Sequence, residues 1–280
     1  MHIKFKFKAV LIPIIIVIAW FLFLCLLNYF AQKPRMDEGE ILNNIKELSI
    51  PQLFGELKYN QVFPRAYLAL ISLFSGQFSY NLMSLRFFPL LFSIAGFLLW
   101  IYIYKRESKS NFNLFLLLFS FASSVFMIDY AAYLKQYSCD LFTVAVFTAF
   151  IYQQKKYIEG KAVSTVGLWL FSIFTPILIA FSQMSFLVSW IVIYNYLFLL
   201  RDDKKIRFPL VVYTLFTVLF CLLVYWFDLR HSMKVKFMQE YWNNCFIDTS
   251  SLYNFSRNKN FSQFLFFTFF IFLTSFFYLF

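Results

Sequence analysis

The run AVLIPIIIVIAWFLFLCLLNYF, Ala9 to Phe30, followed by AQKPRMDEGE, residues 31–40, decides how this chain folds. The 22 apolar-rich residues of the first run contain no charge, and as a helix they reach about 33 Å, the thickness of a bilayer's hydrocarbon core. Lys4, Lys6 and Lys8 give the run a basic start like that of a signal peptide. Its apolar core is too long for one, however, and no small-residue cleavage site follows, so it reads as a retained first helix. Pro13 is tolerated near the start. Just beyond, at Asp37-Glu38, the chain leaves the bilayer and meets water.

The rest of the chain agrees with that beginning. It is 61% hydrophobic, 24% aromatic and only 14% charged, with 43 Phe against 6 Gly. Soluble domains carry roughly 25% charged residues, so this is a polytopic membrane protein whose bulky side chains face lipid. The formal charge of +11 comes without a basic block or a nucleic-acid-binding motif. Basic residues flanking membrane spans account for its sign, and no nucleic-acid partner is expected.

Working outward, residues 31–80 form an outer loop with two juxtamembrane helices. Ile41, Leu42, Ile45 and Leu48 recur at helical spacing opposite Asn43, Asn44, Lys46 and Glu47, which predicts an amphipathic helix on the membrane surface. Val62 to Phe74 is apolar but too short to cross, and Pro64 suits a helix start. Further apolar runs occupy Leu82–Tyr104, Phe112–Ile128, Leu141–Tyr152, Val163–Phe181, Phe186–Leu200, Phe208–Phe227 and Phe261–Phe280. The run at Leu141 borrows Tyr137 to Asp140 on its outer end. The expectation is an all-α transmembrane bundle of about eight spans, one domain over 1–280, with a second outer loop over 228–260. The short loops at Lys105–Lys109, Lys155–Lys161 and Arg201–Arg207 are basic, which puts them and the N-terminus in the cytoplasm and the Asp37 loop outside. Because Phe280 lies inside an apolar run, a longer parent protein is expected.

Several residues can carry chemistry. Asp37 with Glu40 three residues on fits a capping box, and the same carboxylate can serve as a general base. Asp140 opens a span, where it acts as an N-cap or needs a cation, a metal or a hydrogen-bond partner. Lys135 can snorkel to the surface or bind a phosphate. Arg86, a little inside its span, snorkels to headgroups or joins Arg65 and Lys135 as a source of positive charge. Cys139 and Cys245 fall on the outer side, and a disulfide between them requires Cα atoms within about 7 Å. No CxxC or His/Cys metal spacing occurs.

Taken in order, these stretches resemble the GT-C class of integral-membrane glycosyltransferases. The nearest sub-group is the bacterial relatives of dolichyl-phosphate-mannose–protein mannosyltransferases and of the lipid A aminoarabinose transferase. The resemblance rests on Asp37-Glu38 after a first helix, on Gln61 to Phe74 with Ser75-Gly76, and on Leu85-Arg86 at a span start. It also rests on Lys135, Tyr137 and Asp140 as a Lys-x-Tyr-x-x-Asp element, on Phe181-Ser182-Gln183-Met184, and on Tyr241-Trp242 to Phe246. It covers the chain but only the N-terminal half of the family. The resemblance implies a polyprenyl-phosphate sugar donor, a lipid, glycan or protein acceptor, and reaction on the non-cytoplasmic face of the plasma membrane. Asp37 would be the base, with Glu38 orienting it or acting as a neighbouring like charge. Lys135, Tyr137, Arg86, Arg65 and Gln61 would bind donor phosphate or substrate, and Asp140 could hold a divalent metal ion. Two other readings compete. A transporter or flippase would place charged or broken helices near the midplane, whereas the polar residues here gather at outer ends. A non-catalytic remnant or accessory subunit is the other.

Overall fold

In the computed structural model the described residues are 2–31, 36–59, 63–107, 110–158, 165–182, 184–199 and 204–232. Among them the chain is helical, with no strand. The elements are α1 (His2–Ala31), α2 (Met36–Glu47), α3 (Ile50–Leu53), α4 (Arg65–Gly76), α5 (Leu82–Glu107), α6 (Asn111–Ala122), α7 (Val125–Tyr130) and α8 (Tyr137–Ile158). There follow α9 (Thr165–Phe174), a 3₁₀ turn (Thr175–Ala180), α10 (Met184–Leu199), α11 (Lys204–Val224), a π turn (Tyr225–Leu229) and the short α12 (Arg230–Ser232). Residues Met1–Ser232 make one unit. The second, Met233–Phe280, lies outside the described residues, and with it the expected span at Phe261 and Cys245.

Three helices among the described residues are long and apolar enough to cross a membrane: Pro13–Phe30, Leu82–Arg106 and Phe208–Leu229. Each contains a proline, Pro13, Pro89 and Pro209, without ending there. The expected run Phe112–Ile128 is not one helix. It breaks at Ser123-Ser124, where the Ser123 N–H closes on the Phe119 carbonyl before α7 begins. The helix α8 does begin at Tyr137, ahead of the apolar run, and it continues beyond that run through Gln153-Gln154-Lys155-Lys156 to Ile158. After α9 the chain tightens into the 3₁₀ turn at Thr175-Pro176, where proline removes an N–H from the ladder.

Because lipid tails are as apolar as Phe, helices in a bilayer are held by close packing rather than by escape from solvent. Phe21 of α1, Phe97 of α5 and Phe121 of α6 form a ring trio with centroids 4.3 to 5.7 Å apart, each pair contributing about 0.5–1.5 kcal/mol. At Gly96 the backbone of α5 comes so near α8 that a Cβ there would lie 3.3 Å from the Phe142 Cα. The turn from α4 to α5 carries Ser79 and Tyr80 at φ 54° and 55°, in the left-handed region. The Tyr80 N–H holds that turn by donating to the Ser75 carbonyl at 2.9 Å.

One end of this unit is assembled by polar contacts between helix termini. Asn28 at the end of α1 donates to the Ile128 carbonyl of α7 at 3.0 Å, and the Tyr29 hydroxyl donates to the Met83 carbonyl of α5 at 2.5 Å. Lys105 and Arg106 close α5 at its far end, as Lys155 and Lys156 close α8. There Arg106 stacks on Tyr102 at 4.8 Å and Lys156 on Tyr152 at 4.6 Å, as cations above an aromatic belt do.

Candidate functional site

The amphipathic helix α2 supplies the first part of the site. Ile41 and Ile45 are buried with Leu53, Tyr67, Leu68, Ile71, Leu85 and Leu134. Glu38 stands three and seven residues before those isoleucines, so the 3.6-residue period carries it onto the same inward face. There it is only 2% exposed. A carboxylate in such a place requires compensation. Arg86 Nη2 of α5 donates to Glu38 Oε2 at 3.0 Å, and the Leu134 N–H donates to Oε1 at 2.9 Å. One side chain thus fastens α2 to α5 and to the loop before α8.

Two sequence expectations change here. Arg86 is fully buried, so it does not snorkel to headgroups; its guanidinium is turned inward by Glu38. Asn44, assigned from periodicity to the polar side, is buried as well. Its side chain accepts from the Tyr59 N–H at 3.2 Å and donates to the Tyr59 carbonyl at 3.3 Å, so it folds the segment after α3 back along α2. At the exposed end of that fold, hydrogen bonds from Lys58 and then Tyr59 hold the Glu47 carboxyl below its usual range. Asp37 is the second residue of α2 rather than its N-cap, in the first turn where the helix dipole favours acids. Its side chain, like residue Gln61, lies outside the described residues.

The loop from Ala131 to Gln136 is the second part. Loops ordinarily run over surfaces, but Ala131, Ala132, Tyr133, Leu134 and Gln136 are buried here. Lys135 between them is half-buried, its ammonium 5.9 Å from the centre of the Tyr133 ring. Tyr137 packs on Tyr130 and Tyr133 at 4.7 and 5.8 Å. One turn on, Asp140 Oδ1 accepts from the Ser182 hydroxyl at 2.5 Å, linking α8 to the end of the 3₁₀ segment. Cys139 carries a free, buried thiol. Four more polar atoms in this region, Tyr67 Oη, Gln136 Oε1, Ser138 Oγ and Thr143 Oγ1, are buried without a hydrogen-bond partner. Burial pushes the Tyr67 phenol well above its usual range. The Ser138 hydroxyl is near enough to oppose that rise without reaching hydrogen-bond geometry.

Arg65 belongs to a third contact. The expected loop from Asp228 is still helical at its start: α11 continues through the π turn into α12. The Asp228 carboxylate accepts from the Arg65 N–H, at 3.2 and 3.3 Å from its two oxygens, and lies 3.9 Å from Arg65 Nε. Burial lowers the Arg65 guanidinium from its usual range, with Asp228 opposing. Beside it Phe227 meets Phe54 edge to face at 5.5 Å.

The fold thus brings Glu38, Arg86 and the Lys135 loop together, joins Asp140 to Ser182, and pairs Arg65 with Asp228. The sequence alone does not point to Asp228 or Ser182 as partners. Asp228 did carry a signal, as the single acid in the stretch Phe208–Ser232. As to a divalent metal, no group of three or more His, Cys, Asp or Glu gathers among the described residues. One carboxylate with a serine hydroxyl, as at Asp140, falls short of the oxygen-rich shell such an ion takes. Comparison with protein-family models, curated proteins and solved structures gives no match.

Proposed function

We propose that this protein is a multi-pass membrane glycosyltransferase of the GT-C type, moving a sugar from a polyprenyl-phosphate carrier to an acceptor hydroxyl on the non-cytoplasmic face. In this reading the shorter helical legs and the apolar run at Phe261 complete about eight crossings. The N-terminus is cytoplasmic. The single observation that supports it best is the clamp of Glu38 on Arg86 and the Leu134 N–H. That clamp fixes the first turn of α2, which carries Asp37, against the loop that carries Lys135 and leads into Tyr137 at the start of α8.

The chemistry follows from the residue types. Asp37 takes the proton of the acceptor hydroxyl as its oxygen attacks the anomeric carbon. The bond from that carbon to the phosphate oxygen breaks, and the lipid phosphate leaves with the electron pair. Lys135 lies half-buried at this end of the unit and offers charge to the departing phosphate. Glu38 acts as a positioning residue, since its carboxylate is committed to Arg86 and Leu134. Tyr137, among the rings of Tyr130 and Tyr133, gives a sugar an aromatic face to rest on. Anchoring the carrier beside the acceptor adds a proximity effect.

The test is transfer from labelled polyprenyl-phosphate sugars in membranes holding wild-type or Asp37→Asn protein. Transfer is expected to fall by about 10²- to 10⁴-fold while expression and folding hold. Full activity in the folded variant removes Asp37 from the chemistry.

A further inference from the structure

The helices α5 and α8 run side by side in the same sense. Glu38 ties them near their starts, through Arg86 and the Leu134 N–H. Further along, Phe92 meets Phe142 at 5.4 Å and Gly96 closes on the Phe142 backbone. Both helices rise by about 1.5 Å per residue, so that register sets Arg106 level with Tyr152 and puts Lys156 one turn beyond. At this end, the one remote from Asp37, they carry adjoining basic pairs in their last turns, Lys105-Arg106 and Lys155-Lys156. Each pair opens a stretch with three bases against one acid, residues 105–109 and 155–161.

A cation at the end of a span is best hydrated when its side chain reaches outward. Arg106 and Lys156 turn back instead, the guanidinium over Tyr102 at 4.8 Å and the ammonium over Tyr152 at 4.6 Å, each ring one turn earlier on its own helix. Tyr152 is 8% exposed, and Lys156 is half-buried with it. Among the described residues neither cation is paired with a carboxylate. Because the apolar span of α5 ends at Arg106, both charges lie at the depth of lipid phosphates rather than out in water. We propose that this end of the α5–α8 pair is a seat for one anionic phospholipid, its phosphate held between Arg106 and Lys156, with Lys105 and Lys155 adding charge at the rim. The guanidinium takes phosphate oxygens through parallel N–H groups, and the ammonium adds a point charge. Basic recesses between membrane helices select acidic headgroups in this way. The lipid fastens α5 to α8 at the end that the Glu38 clamp does not reach. The proposal does not depend on the transferase reading.

The experiment titrates the full chain in a mild non-ionic detergent with phosphatidylglycerol or with phosphatidylcholine, and counts bound lipids by native mass spectrometry. One phosphatidylglycerol per chain is expected to bind about 30-fold more tightly than phosphatidylcholine, from about a fivefold gain per cation. Arg106→Gln with Lys156→Gln is expected to erase that preference. Arg106→Lys with Lys156→Arg keeps both charges and most of the preference, which separates loss of charge from a folding defect. Tyr152→Leu keeps apolar bulk but releases the Lys156 ammonium, and binding should weaken about two- to fivefold. Lys46→Gln, which removes an exposed charge at the other end of the unit, should leave the preference unchanged. Equal affinity for the two lipids in the wild type overturns the proposal, whatever the variants do. A preference that persists in the paired Gln variant overturns it too, as does one that Lys46→Gln reduces equally, because either outcome makes net charge the cause.

Discussion

Replacing Arg86 by Met keeps much of the side chain's volume and strips the cation from Glu38. At 3.0 Å separation and an effective dielectric near 20, the attraction lost is about 5–6 kcal/mol. Relaxation and partial water entry reduce the measurable cost to about 3–5 kcal/mol, the usual penalty for orphaning one member of a buried pair. Glu38→Gln is milder, because its amide oxygen still accepts from the Leu134 N–H. The double variant Glu38→Gln, Arg86→Met removes both charges together and should recover about 2–3 kcal/mol of the summed single losses. The assay is reversible unfolding of the full chain in mixed micelles, read by far-UV circular dichroism over a denaturant series. A coupling below about 0.5 kcal/mol would show that the pair holds nothing together, and the account of how α2 is positioned would fail with it.

Two smaller perturbations probe the scaffold. In Gly96→Ala the new Cβ meets the Phe142 Cα at 3.3 Å, and a backbone atom in mid-helix yields little. The variant should lose about 1–3 kcal/mol by overpacking, and wild-type stability would mean that α5 and α8 separate more freely than described. Ser79→Gly relieves a left-handed residue that is exposed, so it should gain about 1 kcal/mol even after the looser unfolded chain is counted. A loss there, measured in the same unfolding assay, would show that the Ser79 side chain holds the turn.

Much of the architecture is legible because it depends on local pattern. The apolar stretch at Ala9–Phe30 and those beginning at Leu82 and Phe208 announce themselves by length and composition, as does the period of Ile41 and Ile45. Pro64 marks the start of α4 because its φ suits the turn before a helix and it lacks an N–H to lose. The break at Ser123-Ser124 escapes notice, since serine is tolerated inside membrane helices and nothing in the local pattern marks a stop there. The site is harder still. Glu38 and Arg86 are each visible, but nothing local says that they face one another across 48 positions, or that a backbone N–H 96 positions on completes the clamp. Asn44 misleads for a related reason: its amide is polar by composition and inward by partnership. Asp228 is legible as an acid in an oily stretch, but at the edge of an apolar run it reads as the start of a loop.

The spacing of these partners along the chain sets an order of assembly. A ribosome adding roughly 5–20 residues per second delivers Arg86 about 2–10 s after Glu38, and the Leu134 amide about 5–19 s after it. Asp228 follows Arg65 by 163 positions, about 8–33 s on the same clock. The contacts that hold α2 in place can therefore form only after α5 and the Leu134 loop have been made. The contact at the end of α11 in turn forms after the one that docks α2.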